Sequence, residues 1–190
     1  MCRWRAAFAS MRHCASVSDS RQPEINPQLA AMAKANWTLG TVTLALFVGL
    51  GVYLAPLNPD IVTLQFTFSP VAFQAVLDAW GPEGVARYRA HLPVDGVLLL
   101  CYGALGYGLS TTTALFAPFS PDARRFLALV LPLAACCDSL ENLLHWTLTA
   151  ANGPGPAALY AVAGISSTLK WLGIVLFLLC AMFALVSSKR

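Results

Sequence analysis

The chain has 190 residues, of which 57% are hydrophobic and only 11% charged, and its net charge is +3. A soluble domain carries roughly 25% charged residues, so this composition excludes an ordinary soluble fold and fits one small membrane bundle. A positive balance this small and unevenly placed speaks for membrane orientation rather than nucleic-acid binding.

In chain order, residues 1–36 are polar and Arg-rich (Arg3, Arg5, Arg12, Arg21, Lys34). No apolar run follows the early arginines, which excludes a secretory signal. The expectation is a disordered cytoplasmic tail, with a short helix near Pro27–Ala35. Residues 37–190 form the transmembrane domain. Its four spans are expected near 37–56, 94–116, 125–150 and 156–187, each close to or above the ~20 residues a spanning helix needs. The Pro-rich turn Ala117–Asp122 separates the second span from the third, and Asn152-Gly153-Pro154-Gly155-Pro156 separates the third from the fourth. Pro132 lies inside the third span, where a proline kinks a helix and frees a carbonyl.

The first connection is the one sizeable extramembrane segment. Leu64, Phe66 and Phe68 alternate with polar residues, an extended pattern. Ser69-Pro70 then reads as an N-cap and first helical residue. Phe73, Val76, Leu77 and Trp80 share one face of the helix that follows, Gly81-Pro82 ends it, and Glu83–His91 reads as a second short turn. This segment is either an amphipathic piece lying on the outer bilayer face or a lid over the bundle mouth. Trp37 and Trp80 suit belt positions; Trp146 and Trp171 suit an interface or a cavity.

Of the twelve Lys and Arg residues, nine fall in the tail, the second connection and the C-terminus, against two, Arg87 and Arg89, in the first connection. The positive-inside rule then puts both termini in the cytoplasm. The remaining cation, Lys170, lies at membrane depth. The six cysteines contain no C-x-x-C pair, and those in apolar segments read as small packing residues.

The chemistry concentrates in the third and fourth spans. Asp138, Glu141, Asn142 and His145 fall within about a 100° arc of one helix face. Ionisable groups at this depth are costly and mark a working site or an essential internal contact. Two carboxylates one turn apart in a low dielectric repel each other unless a cation compensates, and Lys170 lies at a matching depth to supply it. Ser166, Ser167 and Gly173 allow close helix approach on the lysine's face. Asp95 opens the second span, either as a helix cap or as a site residue. Tyr102, two turns deeper, is within reach of the stripe. One histidine beside a competing lysine is a poor metal set, so neither a metal nor a cofactor is expected.

The pattern Leu64-Gln65-Phe66, Trp80-Gly81, Asp95 then Tyr102, Asp138-x-x-Glu141-Asn142, then Lys170 resembles a group of uncharacterised bacterial four-span integral membrane proteins. The resemblance implies four helices and brings no activity. In layout alone the chain also resembles the four-helix membrane fold of sterol isomerases and sigma-2-type sterol binders, which place acidic residues in a lipid-accessible cavity.

Three functions fit these residues. In the first, the polar intramembrane site binds or transforms a lipophilic small molecule: Asp138 or Glu141 is the acid–base group, Asn142 and Tyr102 orient the ligand, and the first connection covers it. In the second, the protein is a structural or assembly subunit and the polar cluster only holds helices together. In the third it is a small proton-coupled carrier, which requires a homo-oligomer built on stripes such as Ala45-x-x-x-Gly49 and Ala104-x-x-x-Gly108. Whether the protein is an enzyme stays open. The apolar dressing and the abundant Ala, Gly and Pro suit a bacterial inner membrane.

Overall fold

The computed structural model describes residues 27–150 and 155–187, and these form five helices: α1 (Pro27–Leu54), α2 (Ile61–Gln65), α3 (Pro70–Thr112), α4 (Pro121–Leu148) and α5 (Ala157–Ser187). Four are long and apolar enough to cross a membrane: Ala30–Leu54 within α1, and α3, α4 and α5. The chain is thus an all-α bundle that fits a polytopic membrane protein. Residues 1–26, with the tail arginines, Cys2 and Cys14, lie outside the described residues, as do Lys189 and Arg190.

Several boundaries differ from the sequence reading. α1 begins at Pro27 and runs unbroken through Trp37, so residues 27–36 continue the first span as helix. Helix also replaces the extended pattern at 61–65. Asp60 caps this turn by accepting from the Thr63 amide at 2.9 Å and the Thr63 hydroxyl at 2.8 Å. Three alternating apolar residues are too few to fix a period, and a capped turn buries Leu64 completely.

The largest change concerns α3. Ser69 caps it through the Ala72 amide, as expected. A break follows at Gly81, whose backbone has φ +63° and ψ −178°. That φ favours glycine, and it lets residues 70–80 turn away from residues 82–112. Beyond Gly81 the helix continues through Glu83–His91 and Pro93 to Thr112. The second span therefore starts well before Val94, and Asp95 is an interior helix residue rather than an N-terminal cap.

The helices pack in the order α1, α3, α4, α5, with only a light contact between α3 and α5. α4 continues through Pro132 and is the most enclosed span. Hydrocarbon gives apolar helices no hydrophobic drive to associate, so close packing and polar ties decide. Small residues supply the packing. A Cβ on Gly106 would lie 2.6 Å from Leu131 Cβ, and one on Gly103 would lie 3.2 Å from Ala135 Cβ, so α3 and α4 approach closely. Gly173 does the same for α5 against Ala134.

Two apolar clusters occupy opposite ends of the bundle. One joins Phe116, Leu127, Val130, Leu131, Phe177 and Ala184. The other joins Leu54 and Leu57 to Leu64, Phe73, Val76, Leu77 and Trp80 of the first connection, and to Tyr88, Leu92, Leu148 and Tyr160 of the spans. The apolar face of residues 70–80 thus lies over one end of the bundle as a cap, the arrangement a lid requires. Trp80 is buried in this cap rather than exposed at a belt, with its indole N–H donating to the Pro59 carbonyl. Trp37 stays exposed.

Candidate intramembrane site

Between the two apolar clusters lies a polar core built by α3, α4 and α5. The 3.6-residue period turns Asp138, Glu141 and His145 inward, and all three are buried. Lys170 of α5 is buried opposite them. Its ammonium stands 2.9 Å from Asp138 Oδ1, to which it donates, and 2.6 Å from Glu141 Oε2. One cation therefore serves two carboxylates on successive turns of α4.

α3 closes the site from the other side. The Tyr102 hydroxyl donates to Asp138 Oδ2 at 3.0 Å. Asn142 Nδ2 donates to Asp95 Oδ2 at 2.7 Å, so Asp95 joins the cluster from its interior helix position. Every candidate residue named from the sequence is thereby gathered into one contiguous site: Asp95, Tyr102, Asp138, Glu141, Asn142, His145 and Lys170.

Glu141 differs from its neighbours. It is fully buried, and its Oε1 has no hydrogen-bond partner among the described residues. The Lys170 ammonium holds Oε2 at 2.6 Å, and His145 Nδ1 is 3.8 Å from Oε1. Native proteins satisfy most buried polar atoms, so unused acceptor capacity on a buried anion is unusual. Ser167, fully buried on the lysine's face, donates instead to the Ala163 carbonyl at 3.0 Å.

The sequence reading missed an outer shell. Tyr88 is buried, and its hydroxyl pairs with His145 Nδ1 at 2.6 Å. His91 Nδ1 pairs with the Tyr88 carbonyl. Phe73 of the cap packs on the His145 ring, with centroids 5.4 Å apart, and edge-on to Tyr160 at 5.1 Å. Gln65 of α2 accepts from the Trp171 indole at 3.0 Å, next to Lys170 in the chain. Arg89 stacks on Trp146 at 4.5 Å and donates to the Trp146 carbonyl. Its helical spacing could have exposed this shell: Tyr88, His91 and Asp95 follow at i, i+3 and i+7, the period of the stripe on α4.

Among the described residues no three His, Cys, Asp or Glu side chains gather as a metal set. Compared with protein families, curated proteins and solved structures, the chain finds no match.

Proposed function

We propose that this multi-pass membrane protein binds a lipophilic molecule carrying a hydrogen-bond donor, with Glu141 as the acceptor that receives it. The observation that carries this reading is the fully buried Glu141 carboxylate, whose Oε2 stands 2.6 Å from the Lys170 ammonium while Oε1 has no hydrogen-bond partner among the described residues and His145 Nδ1 only at 3.8 Å. A donor on a ligand, an amine or a hydroxyl, gains a charge-assisted bond there without displacing an existing one. Asp138 and Lys170 hold the local charge, and Tyr102 and Asn142 orient the polar end. The cap formed by α2 and residues 70–80 seals the outer side. The uneven distribution of Lys and Arg supports cytoplasmic termini, and the resemblance to bacterial four-span proteins supports an inner membrane.

The test is native mass spectrometry of the detergent-extracted protein, paired with thermal melting. Wild type retains a small lipophilic molecule; Glu141→Gln loses it while melting at the same temperature or higher. A second reading, a structural subunit, is favoured by the way Lys170 ties α4 to α5. It gains the field if Glu141→Gln lowers the melting temperature sharply and the double variant Glu141→Gln/Lys170→Met regains part of the loss.

A further inference from the structure

A second site lies on the outside of the bundle, in the groove between α3 and α4. At the end where α3 stops and α4 starts, a cleft of about 460 Å³ is lined by Tyr107, Ser110, Thr111, Arg124 and Arg125. Arg124 and Arg125 stand in the first turns of α4, where Ser120 caps the helix through the Ala123 amide. Cations and a helix N-terminus together favour an anion. Arg125 pairs with Asp122 at 3.3 Å, and both side chains are exposed; exposed pairs of this kind hold little energy.

Ser110 supplies an independent observation. Its three successors bond back to the carbonyl one turn earlier: Thr111 to Tyr107, Thr112 to Gly108 and Thr113 to Leu109. Ser110 does not. It lines the cleft at 9% exposure, and its hydroxyl has no hydrogen-bond partner among the described residues.

The cleft does not end at its polar part. A second hollow of about 390 Å³ continues along the same two helices, lined by Leu99, Leu100, Ala104, Pro132 and Cys136, and Tyr107 borders both. On α4 the lining residues Arg125, Leu129, Pro132 and Cys136 recur at helical spacing, so they form one stripe. From Arg125 to Cys136 this stripe runs about 16 Å along the axis. Basic and hydroxyl groups at the mouth and an apolar channel behind match one occupant, an amphiphile with a charged phosphate head and a hydrocarbon tail.

We propose that the α3–α4 groove is a binding site for one phosphate-bearing membrane lipid, its headgroup on Arg124, Arg125 and Ser110 and one acyl chain along Ala104, Pro132 and Cys136. Two arginines at headgroup level strengthen binding of an anionic lipid by about 30-fold over a neutral one. The tail channel makes the site specific to a lipid rather than to a free anion.

The test uses the full chain stripped of lipid in detergent, with native mass spectrometry to count bound molecules and tryptophan fluorescence to follow melting. The probes are dioleoyl phosphatidylglycerol, dioleoylglycerol with the same chains and no phosphate, and inorganic phosphate. One phosphatidylglycerol is retained per chain and raises the melting temperature, whereas the other two probes do neither at matched concentration. Arg124→Gln/Arg125→Gln weakens retention about 30-fold. Ala104→Phe, which fills the tail channel, weakens it comparably. Cys136→Phe blocks the channel from the opposite wall and replaces Ala104→Phe if that variant melts early without lipid. Equal retention of dioleoylglycerol overturns the headgroup assignment. A melting shift with inorganic phosphate that survives the channel variants overturns the lipid in favour of a free anion. Retention of phosphatidylglycerol unchanged by all the variants overturns the site.

Discussion

α1 and α4 are equal in length, 28 residues each, but play opposite parts in the bundle. α4 carries the charged stripe, contacts both α3 and α5, and buries a long row of side chains. α1 contacts α3, and Leu54 is its sole buried side chain among the described residues. The polar ties between α1 and α3 include Asn36, which donates to Thr112 at 2.8 Å, and Arg87, which lies over the Tyr53 ring and donates to the Tyr53 carbonyl. The difference shows how a membrane helix gains a fixed place. Apolar surface secures nothing against lipid; small residues and internal polar partners do.

The comparison breaks most visibly at Lys170. Lys170→Met leaves Asp138 and Glu141 buried without their cation, and removing one partner of a buried ion pair costs about 3–5 kcal/mol. The expected outcome is a large fall in melting temperature, measured in detergent, beyond any single change in α1. The packing half of the contrast is sharpened by two glycines. Gly106→Ala drives a methyl group into Leu131 and costs about 1–3 kcal/mol. Gly49→Ala on α1 meets nothing within 4 Å and leaves stability unchanged or raises it by up to about 1 kcal/mol. Melting the two variants side by side checks this, and equal losses would remove the distinction between the helices.

The smallest effect lies in the link between α1 and the cap. The Thr63 amide and then the Thr63 hydroxyl hold the Asp60 carboxyl below its ordinary value. A carboxyl lowered in the folded state contributes stability above its unfolded pKa, and loses it as pH falls through the folded one. That contribution is therefore whole near neutrality and fades below about pH 4. Asp60→Ala costs about 0.5–1 kcal/mol at neutral pH. Asp60→Asn keeps a cap and removes this share of the acid dependence, which melting between pH 3 and 7 reads out.

The polar core was legible in the sequence because helical period and depth are local properties. Four polar residues on one arc had to face inward, and a short connection between α4 and α5 brings Lys170 to the level of Asp138. The cap was less legible. Arg87, Arg89 and Pro93 interrupt the hydropathy run, so Glu83–His91 read as a short turn outside the second span although this stretch is continuous helix carrying Tyr88 and His91 into the site. The contact of Gln65 with Trp171 joins positions 106 apart in the chain, and no local pattern encodes such a pairing. The α3–α4 groove was equally hidden, since it exists only where two stripes meet.

The lysine's position also bears on how the protein enters the membrane. Asp138 and its cation are 32 residues apart, on consecutive helices. Delivered alone, α4 would carry two unmatched carboxylates into hydrocarbon, at about 2.5–3.5 kcal/mol for a carboxylate at mid-helix on translocon-insertion scales. Delivered together, α4 and α5 bring an anion and its counter-charge in the same hairpin. The charge balance of α4 is therefore complete only with α5 in place.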